Sequence, residues 1–549
     1  MVVKSRLLVI LITILAGLWL MDQLTGFEVL PQTGAILQQL KATQIVSFSS
    51  LAIFSMSSVS EKLPNDNLAS SQFSAWLTAF NTRDRDTILA YHEKHFLYDV
   101  ASSDIRNIDR EMTLSCFTGG FEIADVVDSN NDDKDNQTPH VLTVILRSKQ
   151  NPHYAHASMT VDPENSSHPV TEFEIHRTHT PLKFVPDDKR EEYERALAPL
   201  TPKRRRLVIA GISEVVHEQY INPAIGEEMI SGLDAKVKGG EYDELTNSEE
   251  FAKRLNADAR ALSGDKHIMI AFVEPPPNLK NRGDDDNEDG GGDKEKECPP
   301  KLCDCLKEMN FSFDNPIIES IQTKKLGILG IKGFVSSDFT TIREAIGAIM
   351  SQIADADALI IDLRANHGGS PDTVAFIESY LLGDDGGGAV HLLDFVDRND
   401  TIHKSLFTLP PSELTYPPNS TQHLRFGPSK PLFVLTSKDT ISGGEHMAYD
   451  LQSFKRARAI ISTDKATAGA AHLPNKPRFV AEEEFGKGWW FVGIPDLEPW
   501  NAVTGGNWEG VGVVSDVIVG EEEDVVDVAR RMARKALGLE ESFDDNVEL

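Results

Sequence analysis

Two short apolar runs constrain the fold of this chain more than anything else in it. Ala358 to Leu363, ALIIDL, and Leu432 to Leu435, LFVL, are apolar on both faces of any extended strand, Asp362 excepted. A strand exposed to water on one side alternates polar and apolar positions; one buried on both sides does not, as in the centre of a parallel sheet. Each run is followed by a polar, glycine-containing turn and then by helical spacing: Thr373 to Leu382 after the first, Met447, Leu451 and Phe454 after the second. Further strands are expected at Gly327 to Phe334 and Ala457 to Ile461, with an amphipathic helix over Phe339 to Ala354. This βαβα alternation predicts an α/β core with a mixed or parallel sheet and crossover helices over 316–540.

The turn after the second run holds Ser442, in TSKDTISGGEHM. At a helix N-terminus, unpaired N–H groups and the positive end of the helix dipole can hold a developing negative charge. A strand, a tight turn and a helix give the mechanics of a nucleophile elbow without its G-x-S-x-G pattern. Taken alone, Ser442 is better read as a helix cap. Gly368 and Gly369 stand at the carboxyl end of the first strand, where open α/β sheets place ligands, and can be a bare turn or main-chain donors to an oxyanion.

Upstream, the 549 residues leave room for about three domains. Lys4 and Arg6 precede fourteen uncharged residues, Leu7 to Leu20, so 1–27 reads as a signal peptide or signal anchor. That places the bulk of the chain on the lumenal or extracellular side, secreted or anchored to a membrane. Sequons at Asn136, Asn165, Asn310, Asn399 and Asn419 are compatible with it. Over 66–185, FSAWLTAF and DRDTILAYHEKHF predict two helices, the second capped by Asp84. Strands are expected at Phe121 to Val127, His140 to Arg147, Tyr154 to Val161 and Val170 to His176. This α+β unit resembles cone-like domains of the nuclear-transport-factor type; His92, His95 and Asp99 on it read as solvated helix residues. Over 195–274 the chain is helical: Thr201-Pro202, Asn222-Pro223 and Asn247 open three helices, and His267 lies at the start of the strand that follows. The segment 275–315 contains an acidic low-complexity insertion, of which 284–297 can bury no core. Cys298, Cys303 and Cys305 are better read as disulfide partners than as a metal site. The balance of 54 basic against 85 acidic residues, net −31, argues against a nucleic-acid partner.

Four stretches in order, ALIIDLRANHGG, FVLTSKDTISGGEHMAYDLQ, ATAGAAH and TGGNWEGVGVVSDV, resemble the tail-specific (C-terminal processing) serine peptidase family. LAPLTPKRRRLVIAGISEVV and SGDKHI resemble the N-terminal helical domain of its interphotoreceptor retinoid-binding branch, and the likeness covers about Leu197 to Leu539. It implies a peptide or protein substrate and no cofactor or metal. Ser442 falls on the nucleophile, and Gly443, with Gly368 or Gly369, on the oxyanion donors. The lysine of the family's T-F-G-K-G segment is missing from Thr467-Ala468-Gly469-Ala470-Ala471; Lys465 and Lys487 stand out of register and beside acidic residues, which disfavours a neutral base. The resemblance to a tricorn-type relative instead assigns His267 as general base and Glu509 as the group that orients it. No segment matches the family's peptide-binding PDZ domain. The alternative implied by the retinoid-binding branch is a non-catalytic module for a retinoid or fatty acid on the same fold.

Overall fold

In a computed structural model of the chain, the residues described are 62–97, 105–127, 140–275, 300–337, 340–383, 387–414, 425–480 and 488–539. The apolar segment Leu7 to Leu20, the 284–297 stretch, Cys298, Asp99 and Lys487 lie outside them. The chain divides into two compact units, residues 1–177 and 178–549.

In the first unit three helices, α1 (Ala69–Phe80), α2 (Arg85–His95) and α3 (Ile105–Thr118), accompany an antiparallel sheet of β1 (Phe121–Val126), β2 (Val141–Ser148), β3 (Tyr154–Val161) and β4 (Val170–Thr178), in that order. Asp84 caps α2 as expected, accepting the Thr87 N–H at 2.9 Å. The alternating inward residues Leu142, Val144 and Leu146 pack with Phe73, Trp76 and Phe80 of α1. His92 is not solvated: it is buried, 3.0 Å from Glu111, and stacks on Phe96. Helix α3 was not anticipated.

The second unit opens with α4 (Arg190–Ala196), α5 (Pro202–Gln219), α6 (Pro223–Lys238) and α7 (Ser248–Ser263). Thr201, Asn222 and Asn247 cap the last three through their side chains. Gly264, at φ 75°, ends α7 in the left-handed region. The chain then enters β5 (Met269–Phe272), which pairs with β14 (Trp490–Gly493), itself paired with β13 (Arg478–Val480). These strands close a separate apolar core in which Trp489 and Trp490 pack among Val208, Ile212, Phe251 and Leu255.

After α8 (Pro300–Glu308), where Cys303 and Cys305 are disulfide-bonded, comes the main sheet. Its strands are β6 (Ile317–Ile321), β7 (Lys324–Gly330), β8 (Ala358–Asp362), β11 (Leu432–Leu435), β12 (Ala459–Ser462) and β16 (Val517–Ile518), ordered β16-β12-β11-β8-β7-β6. All neighbours are parallel except the β6–β7 hairpin. Helices α9 (Thr340–Ile353), α10 (Pro371–Glu378), α11 (Gly443–Ser453) and α12 (Val525–Ala536) accompany it. Separate apolar clusters form on its two faces, which is why β8, β11 and β12 are apolar on both. A small antiparallel sheet, β10 (Ile402–Phe407), β9 (His391–Val396) and β15 (Glu498–Asn501), was not anticipated. The core is thus a mixed sheet with crossover helices. Among the described residues no helix is long and apolar enough to cross a membrane.

Candidate active site

Strands β8 and β11 run side by side in parallel, Leu432 opposite Leu359 through to Leu435 opposite Asp362. The turns leaving their carboxyl ends are therefore neighbours, and these turns carry Gly368, Gly369 and Ser442. Ser442 immediately precedes α11 with φ 56° and ψ −117°. A residue with a Cβ rarely occupies this region; the conformation costs about 1–3 kcal/mol and is held only where its surroundings impose it.

Glu445 is the residue that imposes it. Fully buried one turn into α11, its Oε2 accepts the Ser442 N–H at 2.9 Å and the Ala470 N–H at 2.9 Å. Its Oε1 accepts the Thr467 hydroxyl and the Gly469 N–H, both at 2.6 Å. Burial pushes this carboxyl above its ordinary range, and the four donors pull against that rise. Glu445 thus ties the elbow to the turn after β12. The sequence reading missed it, although Ser442-x-x-Glu445 has the spacing of a capping box.

The Ser442 Oγ lies 3.2 Å from His267 Nε2 across 175 residues of sequence. His267 stands between the Gly264 end of α7 and β5, so base and nucleophile come from different apolar cores. Two contacts anchor its loop. Asp265 Oδ1 accepts the His267 main-chain N–H at 2.8 Å, and the Lys266 ammonium donates to the Ala468 carbonyl. Burial, helped by the positive fields of His472 and Arg260, lowers the His267 pKa, against the opposing charge of Asp265. A neutral imidazole is what a proton acceptor requires.

Glu509 is brought to the same region but not into contact with the His267 ring. Its Oε2 accepts the Ala471 N–H at 2.6 Å and the His472 N–H at 3.1 Å. Among the described residues no hydrogen bond joins it to His267, whose Nδ1 is buried without a protein partner. The direct orienting contact expected of Glu509 is absent; its Oε2 is turned to these main-chain donors instead.

The two glycine alternatives separate cleanly. The Gly368 N–H donates to Asn366 Oδ1 at 2.8 Å, so it is already used. The N–H groups of Gly369 and Gly443 have no protein acceptor among the described residues. They adjoin: a Cβ added to Gly443 would stand 3.1 Å from the Gly369 nitrogen. Gly368 nonetheless has to be glycine, since at φ 86° its Cβ would come within 2.8 Å of Ser442 Cβ. At the position of the expected family lysine, Ala470 is fully buried, and Lys465 is exposed.

Comparison with known proteins follows the same residues. The sequence model of peptidase family S41 matches residues 325–477, which contain Gly368, Gly369, Ser442 and Gly443. The model of the N-terminal domain of that family in eukaryotic IRBP, the interphotoreceptor retinoid-binding protein, matches residues 199–309, which contain His267. Glu509 lies beyond both. Among solved structures, a lipoprotein from Streptococcus agalactiae is 13% identical, with 61% of this chain and 98% of that one covered at a TM-score of 0.37. A photosystem II D1 C-terminal processing protease is 14% identical, with coverages of 61% and 99% and a TM-score of 0.35. Tricorn protease is 12% identical, with coverages of 72% and 40% and a TM-score of 0.36. The two family models thus fall on consecutive segments, in the order of the motifs read from the sequence: residues 199–309 are similar to the N-terminal domain of peptidase family S41 in eukaryotic IRBP, and residues 325–477 to the peptidase family S41 domain itself.

Proposed function

We propose that this chain is a serine peptidase of the tail-specific type, cleaving a peptide or protein substrate by acyl transfer. One observation carries the reading: a serine hydroxyl on a strained elbow stands 3.2 Å from the Nε2 of a histidine whose surroundings favour its neutral form. Ser442 Oγ attacks the scissile carbonyl carbon as His267 takes its proton. The carbonyl oxygen becomes an oxyanion within reach of the Gly443 and Gly369 N–H groups. Collapse breaks the C–N bond, and His267 passes its proton to the departing amine. Water, deprotonated by the same imidazole, then hydrolyses the acyl-enzyme and returns the proton to Ser442. Glu509 acts from the carboxylate cluster behind His267 rather than on its ring. The disulfide-bonded state of Cys303 and Cys305 supports exposure to an oxidising compartment, hence a secreted or lumenal chain. The α+β unit of residues 62–177 is read as a cone-like domain preceding the peptidase unit.

The test is covalent labelling of the full chain with a fluorophosphonate. Wild type is expected to label, Ser442→Ala not at all, and His267→Ala at a small fraction of the wild-type rate. Because the His267 pKa lies below the ordinary 6.5, the rate should climb with pH through slightly acidic values and be level by neutrality. A folded wild-type chain that stays unlabelled at every pH would sink the assignment.

A further inference from the structure

His472 immediately follows the segment in which family relatives carry their lysine, and the acyl-transfer scheme gives it no task. Its surroundings are specific. The His472 Nδ1–H donates to Asp265 Oδ2 at 2.7 Å, and the same nitrogen is 3.8 Å from Glu509 Oε2. Asp265 is almost wholly buried. Its Oδ2 also accepts the Tyr220 hydroxyl at 3.2 Å, and its Oδ1 holds the His267 main-chain N–H. Glu509 in turn grips the main chain of Ala471 and His472. A single connected set of contacts therefore runs from Glu509 through His472 and Asp265 to the residue that faces Ser442.

Asp265 is buried and Glu509 partly so, and two such carboxylates with no cation between them would repel. An imidazolium at 472 satisfies both. It also explains how Glu509 can matter without touching the His267 ring. We propose that His472 is a positioning residue for the reaction: as a cation bridging Asp265 and Glu509, it fixes the loop that bears His267 and biases the His267 ring towards its neutral, proton-accepting form.

Burial raises the Glu509 carboxyl above its ordinary range; His472 and the Ala471 and His472 N–H groups oppose the rise, and Asp265 adds to it. Burial works against a charged His472, but the Asp265 hydrogen bond and the carboxylates of Glu509, Asp265 and Glu498 outweigh it, and its pKa lies above the ordinary histidine value. Burial likewise works to raise Asp265, yet His472 and the His267 N–H and ring hold it below the ordinary aspartate value. His267 faces Asp265, which favours its charged form, and His472 and Arg260, which disfavour it. Removing the His472 charge leaves Asp265 unopposed, so the His267 ring should become easier to protonate.

The inference rests on the acyl-transfer reading for its meaning but not for its measurement. In the full chain labelled with 13Cε1-histidine, each ring is titrated by NMR, with His267→Gln and His472→Gln assigning the two signals. In wild type His472 should be protonated at pH 7 and His267 neutral. In His472→Gln the His267 midpoint should rise by about one pH unit, the usual size of a neighbouring-charge effect. The acid limb of fluorophosphonate labelling should move with it, recovering at higher pH. A purely structural role would instead depress labelling equally at all pH values and leave the midpoint in place, which would overturn the proposal. So would a His472 ring that is neutral at pH 7 in wild type, a result that needs no variant. Should His472→Gln fail the circular-dichroism check for folding, Glu509→Gln serves: it should lower the His472 midpoint, and an unchanged midpoint refutes the bridge. A wild type that never labels while both midpoints behave as expected would count against the peptidase reading alone.

Discussion

Glu445→Gln tests the argument that one buried carboxylate holds the nucleophile in place. The substitution keeps size and shape and replaces one oxygen with an NH2. Whichever way the amide turns, its nitrogen meets two of the four donors that Glu445 now satisfies: the Ser442 and Ala470 N–H groups on one side, or the Thr467 hydroxyl and Gly469 N–H on the other. Hydrogen bonds to a charged acceptor contribute about 1.5–3 kcal/mol each, so two lost bonds cost roughly 3–6 kcal/mol. Relief of a buried charge offsets part of this, which leaves about 3 kcal/mol. With an unfolding entropy of about 2.1 cal/mol/K per residue over roughly 370 residues, Tm should fall by about 4 °C. The effect on chemistry should exceed the effect on folding. If the Glu445 contact is what opposes the Ser442 strain of about 1–3 kcal/mol, losing it cuts the population with a correctly aimed hydroxyl by roughly 5- to 150-fold. Differential scanning fluorimetry reads the first quantity and the fluorophosphonate labelling rate the second. A variant that melts lower yet labels at the wild-type rate would refute the argument, since it would leave the elbow standing without its clamp.

Three further outcomes follow from the same geometry. Gly368→Ala, which drives a Cβ to 2.8 Å from Ser442 Cβ at a positive φ, should slow labelling by roughly 5- to 150-fold, which is what about 1–3 kcal/mol of backbone strain at the elbow implies. Lys465→Ala should label at nearly the wild-type rate, because that side chain is exposed; a dead variant would restore a serine–lysine dyad. Glu378 is fully buried beside Asp450, and burial, reinforced by the Asp450 charge, raises its carboxyl well above the ordinary range. A raised carboxyl contributes stability below its unfolded pKa and loses it as pH rises through the folded value. Glu378→Gln should therefore flatten the alkaline fall of Tm, and a Tm profile parallel to wild type would contradict the shift.

The legibility of this chain followed the range of the forces involved. Strands buried on both faces announce themselves through runs such as ALIID and LFVL, and Tyr154–Val161 falls where its alternation puts it. Caps at Asp84, Thr201, Asn222 and Asn247 are local chemistry and are readable locally. The sheet of β9, β10 and β15 escaped notice because β10 is exposed at every position but Leu406, and β15 joins β9 from about 100 residues away. In the site, the residue types at 442, 443 and 267 were recognisable from motif order. Which of Gly368 and Gly369 keeps an N–H without a protein acceptor was not, since Asn366 takes one of them by a hydrogen bond that only the folded turn creates. The roles of Asp265, Glu445 and His472 were equally hidden. Asp265 and His472 are defined by each other across 207 residues, and Glu445 by the turn after β12, and composition carries no record of either.

The origin of Ser442 and His267 in separate apolar cores has a consequence for how such a chain fails. The bond between them joins two apolar cores within one compact unit, each of which buries its own side chains. Slippage of one against the other by an ångström or two would leave secondary structure and both interiors intact while opening the 3.2 Å gap. A chain that has slipped in this way would be folded in every conventional sense and yet lack the serine–histidine contact on which the proposed chemistry depends.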